Sequence, residues 1–153
     1  MTVFLSSYVN SVDKKGRTSV PASFRAEMAN HSRQTIVVYA APNEPYLFGW
    51  SFDDFTKFAE RIAKMPTLSP QRQRLARNIL AAAKPVAVDG DGRAMLPPEL
   101  CSKVGIADKV LFAGQGEFFT LWNPEKYDEV QVADAASYEE DLQILNDNWE
   151  NLI

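Results

Sequence analysis

Apolar positions in this chain fall into short runs of two periods, and the runs come in the same order twice. In the first half, residues 35–40 (Thr-Ile-Val-Val-Tyr-Ala) and 45–50 (Pro-Tyr-Leu-Phe-Gly-Trp) predict two strands, with Asn43 supplying the turn between them. In the second half, residues 109–113 and 117–122 predict another such pair, joined at Gly114-Gln115-Gly116. Ahead of each pair stands a short helical pattern, with Phe24 and Met28 on one face in the first and Leu100 and Val104 in the second. Each begins after a proline, Pro21 or Pro97, which cannot donate to a sheet ladder but suits a first helical turn. A Gly-Arg turn and a short strand come before each proline. Helices follow both hairpins. Ser51 predicts an N-cap with Asp54 three residues on, and Phe52, Phe55, Phe58, Ala59 and Ile62 recur at helical spacing. Asn123-Pro124 is a cap followed by proline at the first helical position. Ser69-Pro70 opens a helix to about Ala83, after which residues 84–88 return to extended structure. From Ser137 the tail predicts one amphipathic helix with Leu142, Leu145, Trp149 and Leu152 on its apolar seam.

The order repeats because the residues do. Val12-Asp13-Lys14-Lys15-Gly16-Arg17-Thr18-Ser19-Val20-Pro21 aligns with Val88-Asp89-Gly90-Asp91-Gly92-Arg93-Ala94-Met95-Leu96-Pro97, with Val, Asp, Gly, Arg and Pro shared. Ordinary composition would give roughly one match over that length. Further on, residues 46–50 align with 118–122 at a slightly smaller offset, a difference that loops absorb easily. The expectation is an α+β fold of two pseudo-symmetric β modules with flanking helices. The first takes residues 1–68, a connecting helix 69–83, the second module 84–136 and an acidic helix 137–153. One copy, about 70 residues, has a marginal core by itself, so the sheets are expected to intertwine about a pseudo-two-fold axis.

Net charge and its distribution point in opposite directions. The 153 residues carry a formal net charge of −4, which by itself argues against a polyanion partner. The distribution reverses that argument. Residues 1–122 hold 15 Lys/Arg against 11 Asp/Glu, while residues 123–153 hold one against nine. A mildly basic body thus carries an acidic tail, and phosphate attraction follows the local potential. No apolar run is long enough for a bilayer, and Met1-Thr2-Val3-Phe4-Leu5 lacks a signal peptide's pattern. The single cysteine, Cys101, forms no internal disulfide, so the expected setting is the cytoplasm, without a membrane.

The doubled Asp-x-x-x-Arg, Asp13 to Arg17 and Asp89 to Arg93, is the leading candidate for chemistry. Gly16 and Gly92 precede the arginines and permit a tight turn that projects the next side chain. Each Asp either accepts turn N–H groups or grips the guanidinium, and a hairpin pinned by its own ion pair is as good a reading as a binding site. Lys14 and Lys15 add two cations to the first turn, where the second has Gly90 and Asp91. The first turn is therefore expected to contact DNA, and the second mainly to support structure, with Arg93 a secondary contact. Arg72, Arg74 and Arg77 read first as a solvated helix face, with phosphate tracking the sharper option; Lys57, Arg61 and Lys64 read as solvated. Trp50 and Trp122 read as core. No enzyme, metal or cofactor is expected. His31 lies in a polar loop, a lone His and Cys leave no ordinary zinc site, and Asp89-Gly90-Asp91-Gly92 lacks the remaining ligands of a calcium loop. No Walker or dinucleotide pattern occurs.

Asp-x-Lys-Gly-Arg-x-x-x-Pro followed by Asp-x-x-Gly-Arg-x-x-x-Pro resembles the MraZ family. Arg72, Arg74, Leu75 and Arg77 resemble its basic central helix, and Val110-Leu111-Phe112-Ala113-Gly114 and Phe119-Thr120-Leu121-Trp122 its late strands. The likeness spans residues 3–130; family members usually carry Gly in the early segment where this chain has Ser6-Ser7. The resemblance implies two modules of the AbrB-like swapped-hairpin type in a nucleoid-associated transcriptional regulator. Its partner would be double-stranded DNA at short G-rich direct repeats upstream of its own cell-division and cell-wall operon, contacted by Lys14, Lys15, Arg17 and Arg93. It also implies a ring-like homo-oligomer, octameric or dodecameric, whose head-to-tail subunits suit direct repeats. The alternative of another class is an antitoxin-type interaction module whose acidic tail binds a basic protein.

Overall fold

The computed structural model describes residues 1–152. The first repeat runs β1 (Ser7–Ser11), β2 (Arg17–Ser19), α1 (Ala22–Glu27), β3 (Thr35–Ala40), β4 (Tyr46–Ser51) and α2 (Phe52–Ala63). Next comes α3 (Pro70–Leu75), which continues as a π-helical stretch, Ala76–Leu80. The second repeat runs β5 (Lys84–Ala87), β6 (Arg93–Met95), α4 (Pro98–Val104), β7 (Lys109–Gly114), β8 (Phe119–Trp122) and α5 (Pro124–Ala135). Two helices end the chain, α6 (Tyr138–Asp147) and α7 (Trp149–Leu152). The caps are those the sequence predicts. Ser51 Oγ accepts the Asp54 N–H at 3.1 Å, Ser69 Oγ that of Arg72 at 3.2 Å, and Asn123 Oδ1 those of Glu125 and Lys126 at 2.8 and 3.3 Å.

The strands make one six-stranded antiparallel sheet, ordered β1-β7-β8-β4-β3-β5, and a separate two-stranded ribbon of β2 with β6. The order shows the exchange. β1 of the first repeat lies against the second repeat's hairpin, with Asn10 opposite Val110. β5 of the second lies against the first repeat's hairpin, with Val86 opposite Ile36. The axis between repeats passes the ribbon at the Thr18–Ala94 pair and the sheet at Phe48–Thr120. The helices exchange as well. Phe24 of α1 packs on Phe112 and Phe119 of the second repeat, ring centroids 6.3 and 5.2 Å away, while α4 rests on β3 and β4.

Sheet, ribbon, α1 and α4 enclose the main core. Phe4, Phe24, Phe112 and Phe119 fill its centre, all essentially solvent-free and edge-on or tilted to one another. Both ribbon strands turn their middle residue, Thr18 or Ala94, inward. On the sheet's other face, α2 and the residues from Ile79 to Ala83 cover Val37, Tyr39 and Trp50, and α5 covers Leu111, Ala113 and Trp122. Neither repeat buries this core alone, since each supplies walls to the other.

Three elements differ from expectation. β1 is a strand that the pattern hides. Its Val9 faces outward, half exposed, while Asn10 turns in and donates to the Ser19 carbonyl at 2.7 Å. Pairing with β7, about a hundred residues away, sets it, and no local alternation announces it. The connecting helix leaves α geometry after Leu75, with Ala81 N–H bonding back to the Ala76 carbonyl at 2.9 Å. The tail breaks at Asn148 instead of running on as one helix. Tyr138, Leu142, Leu145 and Trp149 stay exposed, Trp149 to 56%. The Leu152 side chain, placed on the same seam by its spacing, lies outside the described residues.

Candidate nucleic-acid interface

The two Asp-x-x-x-Arg segments fold into one turn made twice. In the first, Asp13 N–H donates to the Arg17 carbonyl at 3.0 Å and Gly16 N–H to the Asp13 carbonyl at 2.9 Å. Asp13 Oδ1 accepts the Lys15 and Arg17 N–H groups, both at 2.9 Å. In the second, Asp89 N–H reaches the Arg93 carbonyl and Gly92 N–H the Asp89 carbonyl, both at 2.9 Å. Asp89 Oδ1 accepts Asp91 and Arg93 N–H at 2.9 and 3.0 Å. Both glycines sit at positive φ, +88° at Gly16 and +78° at Gly92.

The side chains then part company. Arg17 Nε donates to Asp13 Oδ2 at 2.7 Å, an ion pair with both partners nearly half exposed. Among the described residues Arg93 makes no ion pair and no side-chain hydrogen bond. Asp13 therefore does both things the sequence left open, and Asp89 only the first. The Arg17 N–H, then the Arg17 guanidinium, hold the Asp13 carboxyl below the usual carboxylate range. Asp89 is lowered chiefly by the Arg93 N–H, with help from Asp91 N–H and the charges of Arg93 and Arg17. With Nε held by Asp13, the guanidinium of Arg17 keeps its Nη edge free for a bidentate acceptor.

The ribbon brings the two arginines together. Arg17 lies opposite Met95 and Arg93 opposite Ser19, and with Thr18 and Ala94 turned in, all four flanking residues face out. Arg17 and Arg93 line one shallow depression with Asp13 and Ser19. Exposed Lys14 and Lys15 stand at its first-turn end. Met95 and Ser19, which sequence reasoning passed over, belong to this face; the ribbon pairing that puts them there is not written in either segment alone. Arg25 was also missed. From α1 its Nε donates to the Val20 carbonyl at 3.1 Å and its guanidinium lies over Gly92.

The other singled-out residues lie elsewhere. Arg72 is half-buried and Arg74 and Arg77 exposed, on α3 and its π-helical continuation, from which Ile79 and Leu80 pack on the sheet face away from the ribbon. Trp50 and Trp122 are buried. His31 is half-buried, its Nε2 3.1 Å from the Thr2 hydroxyl. Cys101 is buried and its thiol pKa is raised by that burial. Among the described residues no group of His, Cys, Asp and Glu stands together to hold a metal, and no helix is long and apolar enough to cross a membrane.

The family model described as "MraZ protein, putative antitoxin-like" matches the chain twice, over residues 3–78 and 79–146. Relatives named transcriptional regulator MraZ align along nearly the whole chain. That of Rickettsia canadensis (strain McKiel) is 32% identical over 149 residues, 97% of this chain and 100% of the relative. That of Hyphomonas neptunium (strain ATCC 15444) is 36% identical over 126 residues, 82% of this chain and 75% of the relative. Two repeats, each matched by the family model and each folding the same Asp-x-x-x-Arg turn, make this chain a member of the MraZ family.

Proposed function

We propose that this chain is a transcriptional regulator that binds DNA sequence-specifically through the outward face of the β2–β6 ribbon. One observation carries the reading. Arg17 and Arg93 share that face and line one depression with Asp13 and Ser19, and exposed Lys14 and Lys15 stand at one end. A two-stranded ribbon fits the major groove, where an arginine bonds guanine O6 and N7. Arg17, aimed by Asp13, reads the base; Lys14 and Lys15 meet phosphate; Arg93 is a secondary contact, with Asp89, Gly16 and Gly92 shaping the turns. The names of the relatives support a regulator over an enzyme. The target is short G-rich direct repeats upstream of its own cell-division and cell-wall operon, and the chain works at the nucleoid. Head-to-tail copies closing into a ring would present several ribbons to successive repeats, and weak contacts then add through avidity.

A gel shift with the DNA just upstream of the gene, with competitor and at stated salt, tests this. The wild-type chain should retard that duplex in preference to a scrambled one, and Arg17→Ala should abolish the preference with the fold intact. Unchanged binding by that variant rules out the role given to Arg17. A second reading rests on the tail, where α6 and α7 expose Tyr138, Leu142, Ile144, Leu145 and Trp149 amid acidic residues. That surface suits a basic protein partner of an antitoxin-type module. Failure of the wild-type chain to prefer its own promoter would favour it.

A further inference from the structure

One cation outside the two Asp-x-x-x-Arg segments touches a turn. Arg25 belongs to the first repeat, yet its guanidinium rests on the second repeat's turn. A Cβ added to Gly92 would stand 2.6 Å from Arg25 Cζ and Nε and 2.8 Å from Nη1, so only glycine leaves that seat open. Arg25 Nε donates to the Val20 carbonyl at 3.1 Å, and Val20 N–H donates to the Gly92 carbonyl at 2.9 Å. Strand end, arginine and turn are thus tied together. Among the described residues no carboxylate pairs with Arg25, and its terminal nitrogens make no hydrogen bond.

The repeat axis shows what is particular about this placement. It relates Gly92 to Gly16, Val20 to Leu96 and Arg25 to Cys101. At the first turn the corresponding place is a small cavity lined by Asp13, Lys14, Gly16, Leu96 and Cys101. The first turn carries Lys14, Lys15 and Arg17 against Asp13; the second carries Arg93 against Asp89 and Asp91. By itself the second turn would repel a phosphate. Arg25 brings it to balance with two guanidiniums that no carboxylate holds.

We propose that Arg25 and Arg93 form a second binding site for DNA backbone phosphate. It is built across the two repeats, at the end of the ribbon away from Lys14 and Lys15. This rests on the nucleic-acid reading above. Arg25 is pinned at Nε against the chain, so its free edge reaches a neighbouring phosphate and not a base edge deep in the groove. Its contribution is therefore independent of base sequence and sensitive to salt.

Binding of the full chain to its own promoter duplex and to a scrambled duplex of equal length, each over a salt series, tests the site. Arg25→Gln should weaken both duplexes by the same factor and make the slope of log affinity against log salt shallower by about one per engaged subunit. The wild-type advantage should then shrink by roughly 3.5-fold per subunit between about 50 and 200 mM salt. Arg25→Lys should recover the slope. An Arg25→Gln protein with unchanged slope overturns the proposal, including the case where it loses thermal stability and binds less at every salt, because that is a packing role. A wild-type chain without promoter preference overturns the nucleic-acid reading itself. Preference kept by wild type, with an unaltered slope in Arg25→Gln, overturns this site alone.

Discussion

The turn at Asp13 and the turn at Asp89 have the same backbone bonds, within a tenth of an ångström, and different neighbours. At the first, Gly16 is pressed against main chain: a Cβ there would lie 2.7 Å from the Leu96 carbonyl oxygen. At the second, Gly92 is pressed against a side chain, Arg25. The first arginine is gripped by its aspartate; the second is not. Two lysines flank one turn, and Gly90 and Asp91 the other. A repeated motif thus preserves a scaffold, while substitution around it assigns the two copies unequal work.

The largest expected contrast is in DNA binding. Arg17→Ala should remove promoter preference, whereas Arg93→Ala should weaken affinity about tenfold, roughly 1.4 kcal/mol, and keep the preference. Loss of preference on Arg93→Ala, with retention on Lys15→Ala, would reverse the assignment of the turns. In stability the glycines should differ next. Gly16→Ala combines a disfavoured φ with a backbone clash and should cost about 3 kcal/mol in denaturant unfolding. Gly92→Ala meets a side chain that can swing away and should cost about 1–2 kcal/mol. Equal losses would mean that the two seats are equivalent after all.

Smaller effects should come from the aspartates. Both carboxyls have lowered pKa values, so their ionised forms stabilise the fold. That contribution is present above the ordinary aspartate pKa of about 3.9 and is lost as pH falls through the lowered values. Asp13→Asn, which also loses the Arg17 ion pair, should flatten the acid limb of a stability–pH profile more than Asp89→Asn; the opposite order would show that the ion pair adds nothing. The smallest effect separates the ends of β1 and β5. Ser6 holds φ +71°, whereas Ala82, its counterpart, does not have a positive φ. Ser6→Gly should raise stability by about 0.5 kcal/mol, the relief of left-handed strain less the extra freedom of the unfolded chain. A loss would mean that the Ser6 side chain stabilises this conformation.

Much of this architecture was legible along the chain because local chemistry encodes it. Strand runs, prolines at helix starts, the caps at Ser51, Ser69 and Asn123, and the turn glycines each act within a few residues of themselves. The doubled motif likewise announced two like modules with an aspartate in each turn; of the two uses the sequence left open for it, both aspartates accept turn N–H groups and only Asp13 also grips its arginine. In the early Ser6-Ser7 segment, Ser6 holds a positive φ, the backbone conformation that favours glycine.

The remainder depended on contacts between distant segments. β1 exists because β7 offers it a ladder, and its own alternation does not announce it, with Val9 exposed and Asn10 half-buried. Arg17 and Arg93 are separated by 76 positions and share a face only because β2 pairs with β6 about the Thr18–Ala94 axis. Arg25 reaches Gly92 only because the repeats exchange their walls. What a residue's own neighbours can enforce, the sequence determined: helix starts, turns and the number of modules. Which cations stand together was left to the tertiary structure, because hydrogen bonding across a ribbon joins residues without regard to their distance along the chain.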